Sequence, residues 1–226
     1  MSKSPARLIV ESLTEPLYKL YSSSVRVWEY AEMNFLVMPG VFHPGWFVTS
    51  RMLLDKIETL DLEGKQTLEL GCGTGVQACL AAKLGAHSHA LDVTPIACKN
   101  AALNAERNGL SVQVYASDIF DSLPHGVEFD YIFVNPPFLP RYPEGEKDFA
   151  FCCGEEYEYY ICLFSDLRRA LKPAGTVLMA LSKSCDIERI LAVAESENLN
   201  CQRVDQYKRY AEINYLYEIK FNSQES

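Results

Sequence analysis

None of the eight cysteines in this chain of 226 residues forms a C-x-x-C pair, which removes the usual signature of a redox dithiol and half of the common zinc pattern. They stand at 72, 79, 98, 152, 153, 162, 185 and 201. Several lie in apolar stretches, where a free cysteine behaves as a small core residue, and a reducing cytoplasm is the simplest setting. Runs of lysine and arginine are also missing. With 21 basic against 30 acidic residues and a formal net charge of -9, the chain as a whole repels phosphate backbones and anionic membrane surfaces. No stretch of about 18 apolar residues occurs, and the opening "MSKSPARLIVESLTEPLY" lacks the apolar core of a secretory signal. A soluble protein without a membrane span is expected. "HSH" at 87 to 89 has no third ligand in view, so no metal is expected. Cys152 and Cys153 have no histidine nearby in sequence and read as packing residues.

What is present is a chain of 48% hydrophobic residues, long enough for one buried core. From Gln66 onward strand and helix patterns alternate. "QTLELGC", "HSHALDV", "VQVYAS", "FDYIFV" and "GTVLMALS" read as strands, with a turn "KPAG" before the last. "VQACLAAKLG", "TPIACKNAALNAERNG", "YEYYICLFSDLRRAL" and "DIERILAVAESEN" read as helices. Thr94 is placed to cap the second of these, Pro95 starts it and Gly109 follows its end. Arg168 and Arg169 suit the C-terminal dipole of the third. "CQRVDQYKRY" and "EINYLYEIKF" are two strand-like runs fit for a hairpin. The alternation predicts an α/β fold with a doubly wound, mainly parallel sheet and ligands at the carboxyl ends of its strands. Residues 1–40 break the pattern and are expected as an N-terminal extension or lid before a domain spanning 41–226. Within them "VRVWEYAEMNFLV" fits a strand, a helix or a lid.

"LELGCGTG" puts Glu69 at the tip of the first strand and Gly71, Gly73 and Gly75 in the turn that opens the next helix. Glycines let a ligand approach the backbone closely. A dinucleotide fingerprint would need a third glycine at position 76, which is Val76. Glu69 would also oppose a pyrophosphate, and suits a cationic nucleoside without phosphate. This spacing after an acidic strand end resembles the first motif of class I S-adenosylmethionine (SAM) methyltransferases. The resemblance implies a Rossmann-like seven-stranded sheet and a cofactor site that includes Cys72 beside the glycines. It also implies that Asp92 and Val93, at the end of the second strand, belong to the cofactor site, with Asp92 binding the ribose hydroxyls. Asp118, in "ASDIF", would receive the adenine amine, and Ile119 would flank the ring.

"VNPPFLP" ends the "FDYIFV" strand, since two prolines cannot donate to a ladder. Asn135 offers a side-chain carbonyl, and Pro136 a backbone carbonyl whose direction is held by the ring of Pro137. Two convergent acceptors can take both hydrogens of a planar –NH2. Phe138 can stack on the flat group that carries this nitrogen. The lone pair of such a nitrogen is delocalised, so positioning and polarisation must supply much of the rate.

Residues 38–222 resemble the small-domain branch of SAM-dependent N-methyltransferases, with S-adenosylhomocysteine as product. "MPGVFHPG" with "SRMLLDKI" resembles the approach segment of ribosomal RNA guanine methyltransferases. The stretch from "NPPF" through "CCGEEYEYYICLFSDLRRALKPAGTVLMALS" is laid out like the HemK-type methyltransferases of protein glutamine. In both groups the approach segment packs beside the cofactor, which implies that Phe42, His43 and Pro44 line its pocket. The acceptor is thus expected to be a protein glutamine or a nucleobase. The rivals are a small-molecule amine methyltransferase on the same scaffold and a non-catalytic SAM-binding subunit that serves a partner. From Tyr142 to Tyr160 six acids face only Lys147, with six aromatics interleaved. Nucleic-acid sites interleave aromatics with lysine and arginine instead. The stretch reads either as a solvated acidic loop or as a rim that rejects phosphates and welcomes a basic peptide or an amine.

Overall fold

The computed structural model describes residues 20–209 and 212–222; residues 1–19 of the expected extension, and Tyr210 of the expected C-terminal hairpin, lie outside them. Residues 25–37, for which strand, helix and lid were all open, form an antiparallel hairpin of β1 (Arg26–Tyr30) and β2 (Met33–Val37). Tyr30, Met33, Phe35 and Val37 are buried, so the hairpin belongs to the core. Its two turn residues, Ala31 and Glu32, both have positive φ, 47° and 62°. Lys83 holds the turn from outside, donating to Ala31 O at 2.5 Å and to the Glu32 carboxylate at 3.2 Å.

A 3₁₀ turn at Pro44–Trp46 leads into α1 (Val48–Ile57). Strand and helix then alternate as expected: β3 (Gln66–Leu70), α2 (Val76–Lys83), β4 (His87–Asp92), α3 (Pro95–Arg107), β5 (Val112–Ala116) and β6 (Phe129–Val134). They are followed by α4 (Glu158–Asp166), β7 (Leu171–Ser182), α5 (Ile187–Ser196), β8 (Leu199–Arg209) and β9 (Glu212–Phe221). One seven-stranded sheet has the order β5-β4-β3-β6-β7-β9-β8. Its first five strands are parallel, and β9 runs antiparallel to both β7 and β8. Alternate residues of β6 and β7 feed two cores. Ile132, Val177 and Met179 pack against Tyr160, Leu163, Phe164 and Ile190 of α4 and α5. Phe133, Leu178 and Ala180 pack against α1, α2 and the hairpin. Both faces of the sheet's centre are therefore dry, as its parallel strands require.

Two sequence expectations need correction. The helix expected over 157–171 ends at Asp166 and continues as a 3₁₀ turn, Leu167–Arg169. The sheet claims the chain from there: Phe129 N–H donates to Ala170 O at 2.8 Å, and Leu171 pairs with Phe129. The "KPAG" segment is consequently an irregularity inside β7, where pairing shifts between Phe129 and Tyr131. Thr94 stands at the N-cap of α3 but makes no capping bond. Its hydroxyl and its N–H both donate to Asp92 Oδ1, at 2.8 and 2.9 Å, because the carboxylate two residues earlier is the stronger acceptor.

Candidate active site

The carboxyl ends of β3, β4 and β6 open into a cleft of about 580 Å3. Its wall brings together Phe42, Pro44, Glu69, Gly71, Cys72, Gly73, Asp92, Val93, Asp118, Ile119 and the stretch Asn135 to Phe138. Gly75 and His43 lie off the wall. A Cβ on Gly75 would meet Ala101 Cβ of α3 at 2.8 Å, so this glycine lets two elements approach. His43 is buried; its Nδ1 accepts the Gly45 N–H at 3.1 Å, and its ring packs edge-on to Trp28.

The glycine turn is fixed from below. Gly71 and Cys72 donate their N–H groups to Leu91 O, both at 2.9 Å, and Gly73 donates to Asp92 Oδ2 at 3.0 Å. With Thr94 on Oδ1, the Asp92 carboxylate is held by three donors and turned into the cleft. Gly71 has φ +70°, and a Cβ there would meet nothing within 4 Å. Glu69 is 2% exposed and accepts the Ala78 N–H of α2 at 2.8 Å. Burial pushes its carboxyl up to about 8, against the pull of the Ala78 and Gln77 amides. Ile119, a β-branched residue, sits at φ 43° on the wall. Such a conformation is strained and persists only where the surroundings impose it.

At the other end of the cleft Asn135 Nδ2 donates to Ser50 Oγ of α1 at 3.2 Å, which leaves Oδ1 without that commitment; Pro136 follows it on the wall. The Pro137 carbonyl is committed elsewhere, accepting the hydroxyl of fully buried Tyr160 at 2.9 Å. Phe138 and Leu139 donate their N–H groups to Phe151 O at 2.9 and 2.6 Å, and Phe138 meets the Phe151 ring edge-on. The acidic segment is partly paired: Arg141 with Asp148 at 3.0 Å, Arg189 with Glu156, and the Tyr142 hydroxyl with Glu158 at 2.5 Å. Cys152 and Cys153 are buried, and burial raises both thiols, Cys153 to about 11.

Sequence reasoning passes over Ser50 and Gln77 of the wall, and reads Tyr157, Tyr159 and Tyr160 as a half-buried helix face ahead of a pocket residue. Ser50, 2% exposed, orients Asn135 from 85 positions away. Tyr159 lines the cleft, its hydroxyl pushed well up by burial and by the charges of Asp92 and Asp118. Gln77 is 4% exposed, and its Oε1 has no hydrogen-bond partner. No motif marks any of them.

A mainly parallel sheet of this order, with a glycine turn after β3 and carboxylates at the ends of β4 and β5, defines a Rossmann-like methyltransferase fold. The chain belongs to the methyltransferase small domain family, whose model matches residues 32–211. A Methanocaldococcus jannaschii protein, named as a candidate protein N5-glutamine methyltransferase, is 34% identical over 146 residues, 62% of this chain and 71% of that protein. The ribosomal RNA small subunit methyltransferase C of Vibrio cholerae is 36% identical over 110 residues, 47% of this chain but only 31% of that protein. Among solved structures, the T. thermophilus 16S rRNA N2 G1207 methyltransferase, in complex with AdoMet and guanosine, matches with TM-score 0.64 at 20% identity, covering 88% of this chain and 50% of that one. Among the described residues no helix is long and apolar enough to cross a membrane.

Proposed function

We propose that the protein is a SAM-dependent N-methyltransferase whose acceptor is a planar amide nitrogen of a protein, as in a glutamine side chain. The donor set fits the cofactor. Asp92 offers an already oriented carboxylate to two vicinal hydroxyls, and the open space at Gly71 admits a ligand against the backbone. The orphaned Gln77 oxygen is a further acceptor in the wall. Asp118 and the strained Ile119 supply an acceptor and an apolar edge for a purine. When bound, SAM supplies an electrophilic methyl group on a sulfonium.

The observation that carries the reading is the Ser50 contact. By engaging Asn135 Nδ2 it keeps Oδ1 available as an acceptor, and with the Pro136 carbonyl this would receive the two hydrogens of an incoming –NH2. Phe138, braced by Phe151, packs against the plane that bears the nitrogen. Preorganised acceptors of this kind cost no reorganisation at the moment of reaction.

A protein acceptor is favoured over a nucleic acid by charge. Asp121, Glu146, Glu158, Asp166 and Glu212 stand on the wall, and among the described residues no lysine, arginine or histidine does. A phosphate backbone would meet only like charge there. Exposed Tyr142 and Phe149 offer aromatic faces to a cationic neighbour of the acceptor. Eight free cysteines suit work in a reducing cytoplasm.

The test is transfer of tritiated methyl from SAM into glutamine peptides with lysine or glutamate flanks, with total RNA in parallel. Label is expected in the lysine-flanked peptide and not in RNA. Asn135→Ala should lower transfer about 100-fold while S-adenosylhomocysteine affinity stays within about twofold. Label confined to RNA would overturn the protein assignment. Wild-type rates in Asn135→Ala would overturn the planar-nitrogen geometry.

A further inference from the structure

Helix α3 carries Asn100 and Asn104 and ends at its C-cap, Asn108, the three spaced by four residues along one face. Their side chains treat β2 as a second strand would. Asn108 Oδ1 accepts the Asn34 N–H at 2.9 Å, Asn104 Oδ1 the Leu36 N–H at 2.8 Å, and Asn100 Oδ1 the Met38 N–H at 2.8 Å. The amide groups return the bonds: Asn108 donates to Asn34 O at 3.1 Å, and Asn104 and Asn100 both donate to Leu36 O at 2.8 Å. Four helical residues rise about 6 Å and two strand residues about 6.8 Å, so the two repeats keep step over three rungs.

The middle rung differs from the outer one. Besides Leu36 O, Asn104 Nδ2 donates to Thr74 O at 2.9 Å, between Gly73 and Gly75 in the turn that floors the cleft. The corresponding bond of Asn108 goes back to its own helix, at Asn104 O. Fully buried Asn104 is thus the point where α3, β2 and the glycine turn meet. The chain leaving β2 then passes over the same turn. A Cβ at Gly73 would lie 3.7 Å from Val41 and 3.9 Å from Phe42, and both residues line the cleft.

We propose that Asn104 is a positioning residue for the cofactor: by holding the Thr74 carbonyl and β2 together it fixes the glycine turn against the Val41–Phe42 roof. The inference rests on reading the cleft as the SAM site. With Thr74 O released, the turn can rotate, and the Gly73 N–H no longer pins Asp92. Asn108 provides a control inside the same ladder, because it makes the same pair of bonds to the strand from a half-buried position, and its further bond goes to Asn104 O and not to the turn.

Wild type, Asn104→Ala, Asn104→Ser and Asn108→Ala are compared by calorimetry with S-adenosylhomocysteine, by urea unfolding, and by KM for SAM against kcat on the labelled peptide. Asn104→Ala is expected to raise the dissociation constant and KM at least tenfold with kcat within twofold. Asn104→Ser, whose hydroxyl still fills the site but is short of Thr74, should fall between. Asn108→Ala should lose unfolding midpoint and keep affinity within twofold. Equal affinity loss in Asn104→Ala and Asn108→Ala, or none in Asn104→Ala, would overturn the role. If wild type binds no S-adenosylhomocysteine, the cofactor reading fails, and this role falls with it.

Discussion

Glu69 occupies the tip of β3, where a carboxylate is wanted by the α2 amides and rejected by the surrounding apolar core. Burial wins, and its carboxyl is pushed up to about 8 from 4.5. Between those values the folded protein holds a proton that the unfolded chain has released. Its stabilising share is therefore complete below about pH 4.5 and is lost as pH rises towards 8. Glu69→Gln keeps the acceptor oxygen for Ala78 and has no proton to lose. The urea midpoint of wild type should fall relative to Glu69→Gln across pH 4.5 to 8 and run parallel above it. Parallel profiles throughout that window would contradict the assignment.

The glycine turn shows how two residues of one element answer different demands. Gly75→Ala meets Ala101 at 2.8 Å and a φ of +73°. Overlap should cost about 1–3 kcal/mol and the left-handed backbone about 1–2 kcal/mol. Gly71→Ala carries only the backbone cost, since its methyl points into open cleft, yet it should weaken S-adenosylhomocysteine the more per unit of stability lost. Unfolding free energies and calorimetric affinities for the pair check the contrast. Elements were legible where a local rule sufficed. β3 to β6 and their helices followed from apolar period and glycine stops. The β1–β2 hairpin did not, because its turn is Ala31-Glu32, without the glycine or asparagine that two left-handed residues normally demand. The asparagines at 100, 104 and 108 are plain in the sequence, but a polar stripe on a helix reads as a wet face until the strand it serves is known.

Across the whole molecule the same division holds for the site. Gly71, Asp92 and Asn135 were legible as strand-end positions, because each ends or directly follows a strand and each has a backbone or charge reason to be there. Ser50 and Tyr159 come from α1 and α4, and only the closed sheet brings them to the wall. The order of that sheet has a bearing on its motions as well. Among the described residues the ladder hydrogen bonds of β8 to the sheet run through β9 alone, for β8 pairs with no other strand, and β9 lies between it and β7 although it comes later in the chain. Any fluctuation that lifts β9 from β7 must release β8 too, whereas β8 can peel away alone. Native-state hydrogen exchange should therefore find the β8 amides opening at a free energy no higher than those of β9 that face β7. Slower exchange in β8 than in β9 would show a tether other than the ladder. The β8 margin is thus expected to open without disturbing the parallel strands that carry the glycine turn.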